Sequence, residues 1–65
     1  MNDIPKAGSI WDHKNGSMYT VLMISNRTSD RPDEYPVTVI YERLSDGTVW
    51  SRPLSRWHSS FTEIK

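Results

Sequence analysis

The side chains that could do chemistry in this 65-residue chain are few and scattered. There is no cysteine, so there is no thiolate nucleophile, no disulfide framework and no thiolate metal site. The two histidines, His13 and His58, stand far apart and lack the partner spacing of a zinc site. His13 comes just before the Asn15-Gly16 turn signal, so its expected work is to bond the turn backbone. Its neighbour Asp12 points to the opposite face of a regular strand. His58 follows Trp57 in a polar run and is expected to be exposed. Two isolated histidines make no Ser-His-Asp arrangement. The three glycines lie in turns or the lead-in and cradle no phosphate. The acids are dispersed, so no carboxylate pair offers acid–base work. A substrate pocket would also compete with the core for the same side chains. The chain reads as a non-enzyme that uses no cofactor and no metal.

Recognition chemistry is better represented. Arg52 shares a strand face with Trp50 and lies close to Tyr41 in the expected hairpin. One reading is structural: its guanidinium stacks on an aromatic ring and bonds Glu42 or Asp46, holding the hairpin end. The other gathers Arg43, Arg52, Arg56 and the tryptophans into a basic-aromatic surface. Exposed aromatics beside arginine are the material of binding hot spots. Tyr35 sits in a charged, proline-containing loop, residues 27–36, which reads either as a solvated connector or as a specificity loop. The candidate binding residues are therefore Tyr35, Tyr41, Trp50, Arg52, Arg56 and Trp57. The first reading of function is a non-catalytic module that contacts another protein. Single-stranded nucleic acid, bound by base stacking and phosphate contacts, is the alternative. A structural homodimer is the third.

The elements that must position these residues are short strands. Residues 37–57 are the organising stretch: a β-branched strand, an Asp46-Gly47 turn, a second strand, and a Pro53-led turn ending on Trp57. In the expected hairpin, a two-residue turn at Asp46-Gly47 pairs Tyr41 with Arg52 and Leu44 with Val49. A three-residue loop would pair Glu42 with Trp50 instead. The first register groups Val39, Tyr41, Trp50 and Arg52 on one face. Val37, Val39, Ile40, Leu44 and Val49 are the expected core of this stretch, with Tyr41, Trp50, Arg52 and Trp57 where core meets surface. Residues 54–57 read as a single 3₁₀ turn burying Leu54 and Trp57. Ahead of the hairpin, residues 9–13 form a first strand. Residues 18–26 form a second, with Tyr19, Val21 and Met23 on one face and Thr20, Leu22 and Ile24 on the other. Pro32 and Pro36 bar a central strand from 27–36. Residues 61–64 close the chain as a last strand. The expected fold is all-β: a small SH3-like five-stranded barrel with a short 3₁₀ turn before the last strand. Residues 1–8 form a loose lead-in and residues 9–65 the single domain.

Length and charge bound the rest. A chain this short has a thin core, so the three Trp, three Tyr and one Phe are expected to supply most of it. There are more aromatics than such a core is expected to bury. Lys plus Arg equals Asp plus Glu, eight each, which argues against general attraction to nucleic acid or an anionic membrane. No apolar stretch is long enough to span a bilayer, and the first residues carry no signal-peptide core. With no cysteine, this points to the cytoplasm. The glycosylation triplets at Asn15 and Asn26 are then chance matches.

The pattern Trp11-x-His13-x-x-Gly16-x-x-Tyr19-x-Val21, then Val39-x-Tyr41-x-x-Leu44, then Trp50-x-Arg52-Pro53-Leu54-x-x-Trp57 resembles the small bacterial and phage family known as domain of unknown function 1653. The resemblance spans residues 8–63, and the Trp-x-Arg-Pro-Leu piece is its most specific part. Asn15 replaces the family's Lys, Trp11 and Trp57 replace its Tyr and Phe, and the 27–36 loop carries no family signature. The resemblance implies a compact β-rich, SH3-like fold and no established activity. It further implies a phage or prophage accessory protein working in the host cytoplasm, with a host protein as the partner.

Overall fold

In the computed structural model, residues 4–64 are described. Residues 1–3 of the expected lead-in and residue 65 lie outside them. The element order is β1 (Ile10–His13), β2 (Met18–Ser25), β3 (Thr38–Arg43), β4 (Val49–Pro53), a 3₁₀ turn η1 (Leu54–Arg56) and β5 (Phe61–Ile64). All strands pair antiparallel in one sheet of order β4-β3-β2-β1-β5. The fold is therefore all-β, as expected. The sheet is open, with β4 and β5 as its edges and no strand pairing between them.

One face of the sheet carries the core. Trp11, Tyr19, Val21, Val39, Tyr41, Trp57 and Phe61 are buried, with Ile24 and Leu54 packed against them. Trp57 is the centre of this cluster. Its ring stacks on Phe61 at 3.8 Å between centroids and meets Tyr41 and Trp11 edge-on at 5.0 and 5.4 Å. The two T-shaped contacts suit the ring quadrupoles. Trp57 comes from no strand. The turn Leu54–Arg56 carries it inward, fixed by Leu54 N–H to the Val37 carbonyl at 2.9 Å and Trp57 N–H to the Leu54 carbonyl at 3.0 Å. Five of the seven aromatic rings are buried, while Tyr35 and Trp50 stay exposed, so the core does not take all of them, as expected.

Three expectations of face and register are corrected. In β2 the register shifts between Val21 and Met23. The extra residue of this β-bulge moves Ile24 to the core face opposite Val39 and leaves Met23 exposed opposite Ile40. In the β3–β4 hairpin, Tyr41 pairs with Trp50, Glu42 with Val49 and Val39 with Arg52, so neither expected register occurs. A type I′ turn needs left-handed backbone at both central residues. Here only Gly47 has positive φ, at 71°, and its N–H reaches the Arg43 carbonyl at 2.9 Å across a longer loop. Asp46 instead turns its carboxylate onto Thr48, accepting from the amide at 3.1 Å and the hydroxyl at 2.7 Å. The slip from the preferred register is two residues, an even number, so Val39, Tyr41, Trp50 and Arg52 still share a face. Of the hairpin residues expected in the core, only Val39 is fully buried. Leu44 lies exposed in the turn, and Val49 faces away from Tyr41 and is 61% exposed.

The first turn behaves as read. His13 Nδ1 accepts the Asn15 amide at 3.0 Å, and Gly16 takes φ 92°. Asn26 holds left-handed backbone at φ 62°, and its side-chain amide donates to the Pro36 carbonyl at 3.0 Å, tying the two ends of the 27–36 loop. The described part of the lead-in packs on the sheet: Pro5 is buried, and Gly8 N–H donates to the Val21 carbonyl at 2.7 Å.

Candidate functional site

Trp50 is the one exposed tryptophan, at 46%, against 5% for Trp11 and 0% for Trp57. It lies on the core face of β4, but β4 is an edge strand, so the ring projects past the core margin. Two contacts fix it. Its indole N–H donates to the Thr48 hydroxyl at 2.7 Å, and the Arg43 guanidinium stands over the ring at 5.5 Å. Arg43 is itself anchored on the far side. It donates to the Tyr19 hydroxyl at 3.2 and 3.3 Å, lies 5.7 Å from the Tyr19 ring centroid, and meets Asp46 at 3.5 Å. The Tyr19 hydroxyl bond, reinforced by Asp46, raises the Arg43 pKa further, so its charge is permanent. Thr48 holds the Asp46 carboxyl below the usual carboxylate range, first through its hydroxyl and then its amide, with Arg43 adding less. An aromatic plate with a fixed cation behind it is thus built into the hairpin end.

Arg52 continues this margin along β4, but not as expected. It bonds neither Glu42 nor Asp46. Its guanidinium lies 5.2 Å over the Phe61 ring and donates to the Arg56 carbonyl at 3.5 Å. Arg43, not Arg52, takes Asp46, because the observed register places Arg43 beside the turn. Arg56 is exposed and makes no ion pair among the described residues. Tyr41 and Trp57 are core residues at 5% and 0% exposure, so they offer a partner no surface. Tyr35 is exposed at 53% in the loop, which Arg31 and Glu34 brace through an ion pair. A groove of about 420 Å³ runs between that loop and η1, lined by Pro32, Pro36, Val37, Leu54 and Ser55. The structure thus joins Trp50, Arg43 and Arg52 into one margin and sets Tyr35 apart on the loop.

From sequence, Arg43 stands out only as one member of a general basic-aromatic surface. The available signal was its alternation with Val39 and Tyr41, which puts it on the Trp50 face. His58 is half-buried, its ring 5.7 Å from Trp11, rather than exposed. It lines a second groove of about 810 Å³ with Lys6, Trp11 and Glu63. No group of three metal-ligating side chains occurs among the described residues. None of their helices is long and apolar enough to cross a membrane.

Comparison with known proteins found no matching family model, no similar curated protein and no similar solved structure.

Proposed function

We propose that this chain is a non-catalytic binding module that contacts another protein through the Trp50–Arg43–Arg52 margin, with the 27–36 loop and Tyr35 as a second contact. The observation that carries this is Trp50: a large apolar ring, half in solvent, yet held by Thr48 and Arg43. A ring already fixed in one pose loses little entropy on binding, the condition under which tryptophan and arginine make hot spots. The SH3-like reading draws support from the meander order, the return of β5 beside β1, and the 3₁₀ turn between β4 and β5. With the Trp50-x-Arg52-Pro53-Leu54 pattern, it favours the resemblance to the family of unknown function and hence a phage or prophage accessory role in the host cytoplasm. Single-stranded nucleic acid is less favoured, because the eight basic side chains are matched by eight acidic ones, which leaves no general attraction for a long polyanion.

The test is retention of a protein from nuclease-treated lysate on immobilised wild type and on Trp50→Ala. The expected result is a protein held by wild type and lost from the variant, whose melting temperature stays close to wild type. No retained protein after nuclease treatment, or retention indifferent to Trp50, would overturn the proposal.

A further inference from the structure

The free edge of β4 carries a second kind of recognition chemistry, in its backbone. Arg43 N–H donates to the Thr48 carbonyl at 2.9 Å, and Leu54 N–H to the Val37 carbonyl at 2.9 Å. These two bonds fix the phase of the ladder at both ends. In an antiparallel pair, bonded and non-bonded positions alternate. Thr48, Trp50 and Arg52 therefore turn their backbone groups toward β3. Val49 and Ser51 turn theirs outward, where the sheet has no further strand. Val49, Trp50 and Ser51 are all exposed, as an uncovered edge requires. At the next outward position stands Pro53, which has no N–H and ends the edge. The open template is thus short: two N–H groups and two carbonyls, at Val49 and Ser51. Its flanks differ. Trp50 and Arg52 lie on one face of the strand, with Arg43 beside Trp50, and Val49 lies on the other.

We propose that β4 receives an extended acidic peptide segment of the partner as a sixth strand. The added strand would bond Val49 and Ser51. Its carboxylates would lie on the Trp50–Arg52 face and its apolar side chains beside Val49. Charge selects this occupant. Arg43 stands beside Trp50, Arg52 follows two residues along the same strand face, Arg56 comes next in η1, and among the described residues Asp46 is the one carboxylate they contact. A second copy of the chain would bring its own arginine-bearing edge against this one, and like charges across paired strands are unfavourable. An acidic strand meets complementary charge. Main-chain bonds would then supply affinity and the alternating side chains specificity, as in other strand-addition interfaces. The inference rests on the binding-module reading and adds the partner's conformation and charge.

The test is residue-resolved amide hydrogen exchange on the full chain, with a synthetic alternating glutamate–valine heptapeptide as probe. The expected result is exchange at Val49 and Ser51 slowed about tenfold at saturating peptide. The effect should weaken as salt rises toward about 0.5 M. A lysine–valine peptide of equal length should leave both amides unprotected. Ser51→Pro should abolish the effect while keeping the β3–β4 ladder, because the N–H it removes points to solvent. Ser51→Ala, which keeps that N–H, should behave as wild type. No protection of Val49 and Ser51, or equal protection by the lysine peptide, would overturn the inference. So would protection that grows with protein concentration and needs no peptide, which would assign the edge to a second copy. If the peptide fails while Trp50→Ala still abolishes partner retention, strand addition falls and the binding-module reading stands. If both fail, both fall.

Discussion

Trp57 shows how one residue can carry a core of this size. It is fully buried and touches Trp11, Tyr41 and Phe61, yet its indole N–H has no hydrogen-bond partner among the described residues. Removing the ring in Trp57→Ala should cost about 3–5 kcal/mol, a large share of the stability of a small domain. Trp57→Phe should cost much less, because it also removes an orphaned donor worth about 1–3 kcal/mol. Urea denaturation of the two variants checks the order, and equal losses would refute it. Asp46 offers a second residue-level prediction. Its folded pKa lies below its unfolded value, so its contribution is complete above the ordinary carboxylate range and disappears as pH falls through the folded pKa. Asp46→Ala should therefore be destabilised relative to wild type near neutral pH. The gap should close on acidification below about pH 4. A gap that persists at low pH would show that the charge of Asp46 is not what holds the turn.

At the scale of the element, the β3–β4 hairpin is held by one left-handed glycine and one carboxylate. Gly47 sits at φ 71°, and a Cβ there would come only to ordinary contact with Glu42, 3.5 Å away. Gly47→Ala should cost about 1 kcal/mol through backbone strain alone, read as a lowered denaturation midpoint with the fold intact. The sequence made the existence of this hairpin plain, because β-branched runs flank Asp46-Gly47. All five strands and the 3₁₀ turn were legible in the same way, to within about a residue or two. The register was not. Asp-Gly predicts a two-residue turn only if Asp46 adopts left-handed backbone, and Asp46 bonds Thr48 instead. The bulge in β2 was equally hidden, since both faces of 18–26 are apolar and alternation there cannot reveal an inserted residue. Of the candidate site, Trp50 and Arg52 were legible from their spacing. The burial of Tyr41 and Trp57, and the place of Arg43 behind Trp50, needed the tertiary contacts.

For the whole molecule, the open sheet raises the question of what holds its two edges together. Arg52 of β4 lies over Phe61 of β5, so a cation–aromatic contact spans a seam that no strand pairing closes. Such contacts are worth about 0.5–1 kcal/mol where partly exposed. Arg52→Ala should lower stability by that order and speed amide exchange in β5 more than in β2 or β3. Uniform acceleration across the sheet would show that the seam depends on other contacts. The same open seam leaves β4 accessible, and Trp50 stands at its margin. The central claim is that this margin meets a protein partner, and the three tryptophan indole N–H signals test it residue by residue. When the protein retained from nuclease-treated lysate is added to isotope-labelled chain, the Trp50 signal should move or broaden first. Those of buried Trp11 and Trp57 should follow only through general broadening. A Trp50 signal unchanged by a partner that binds would contradict the account.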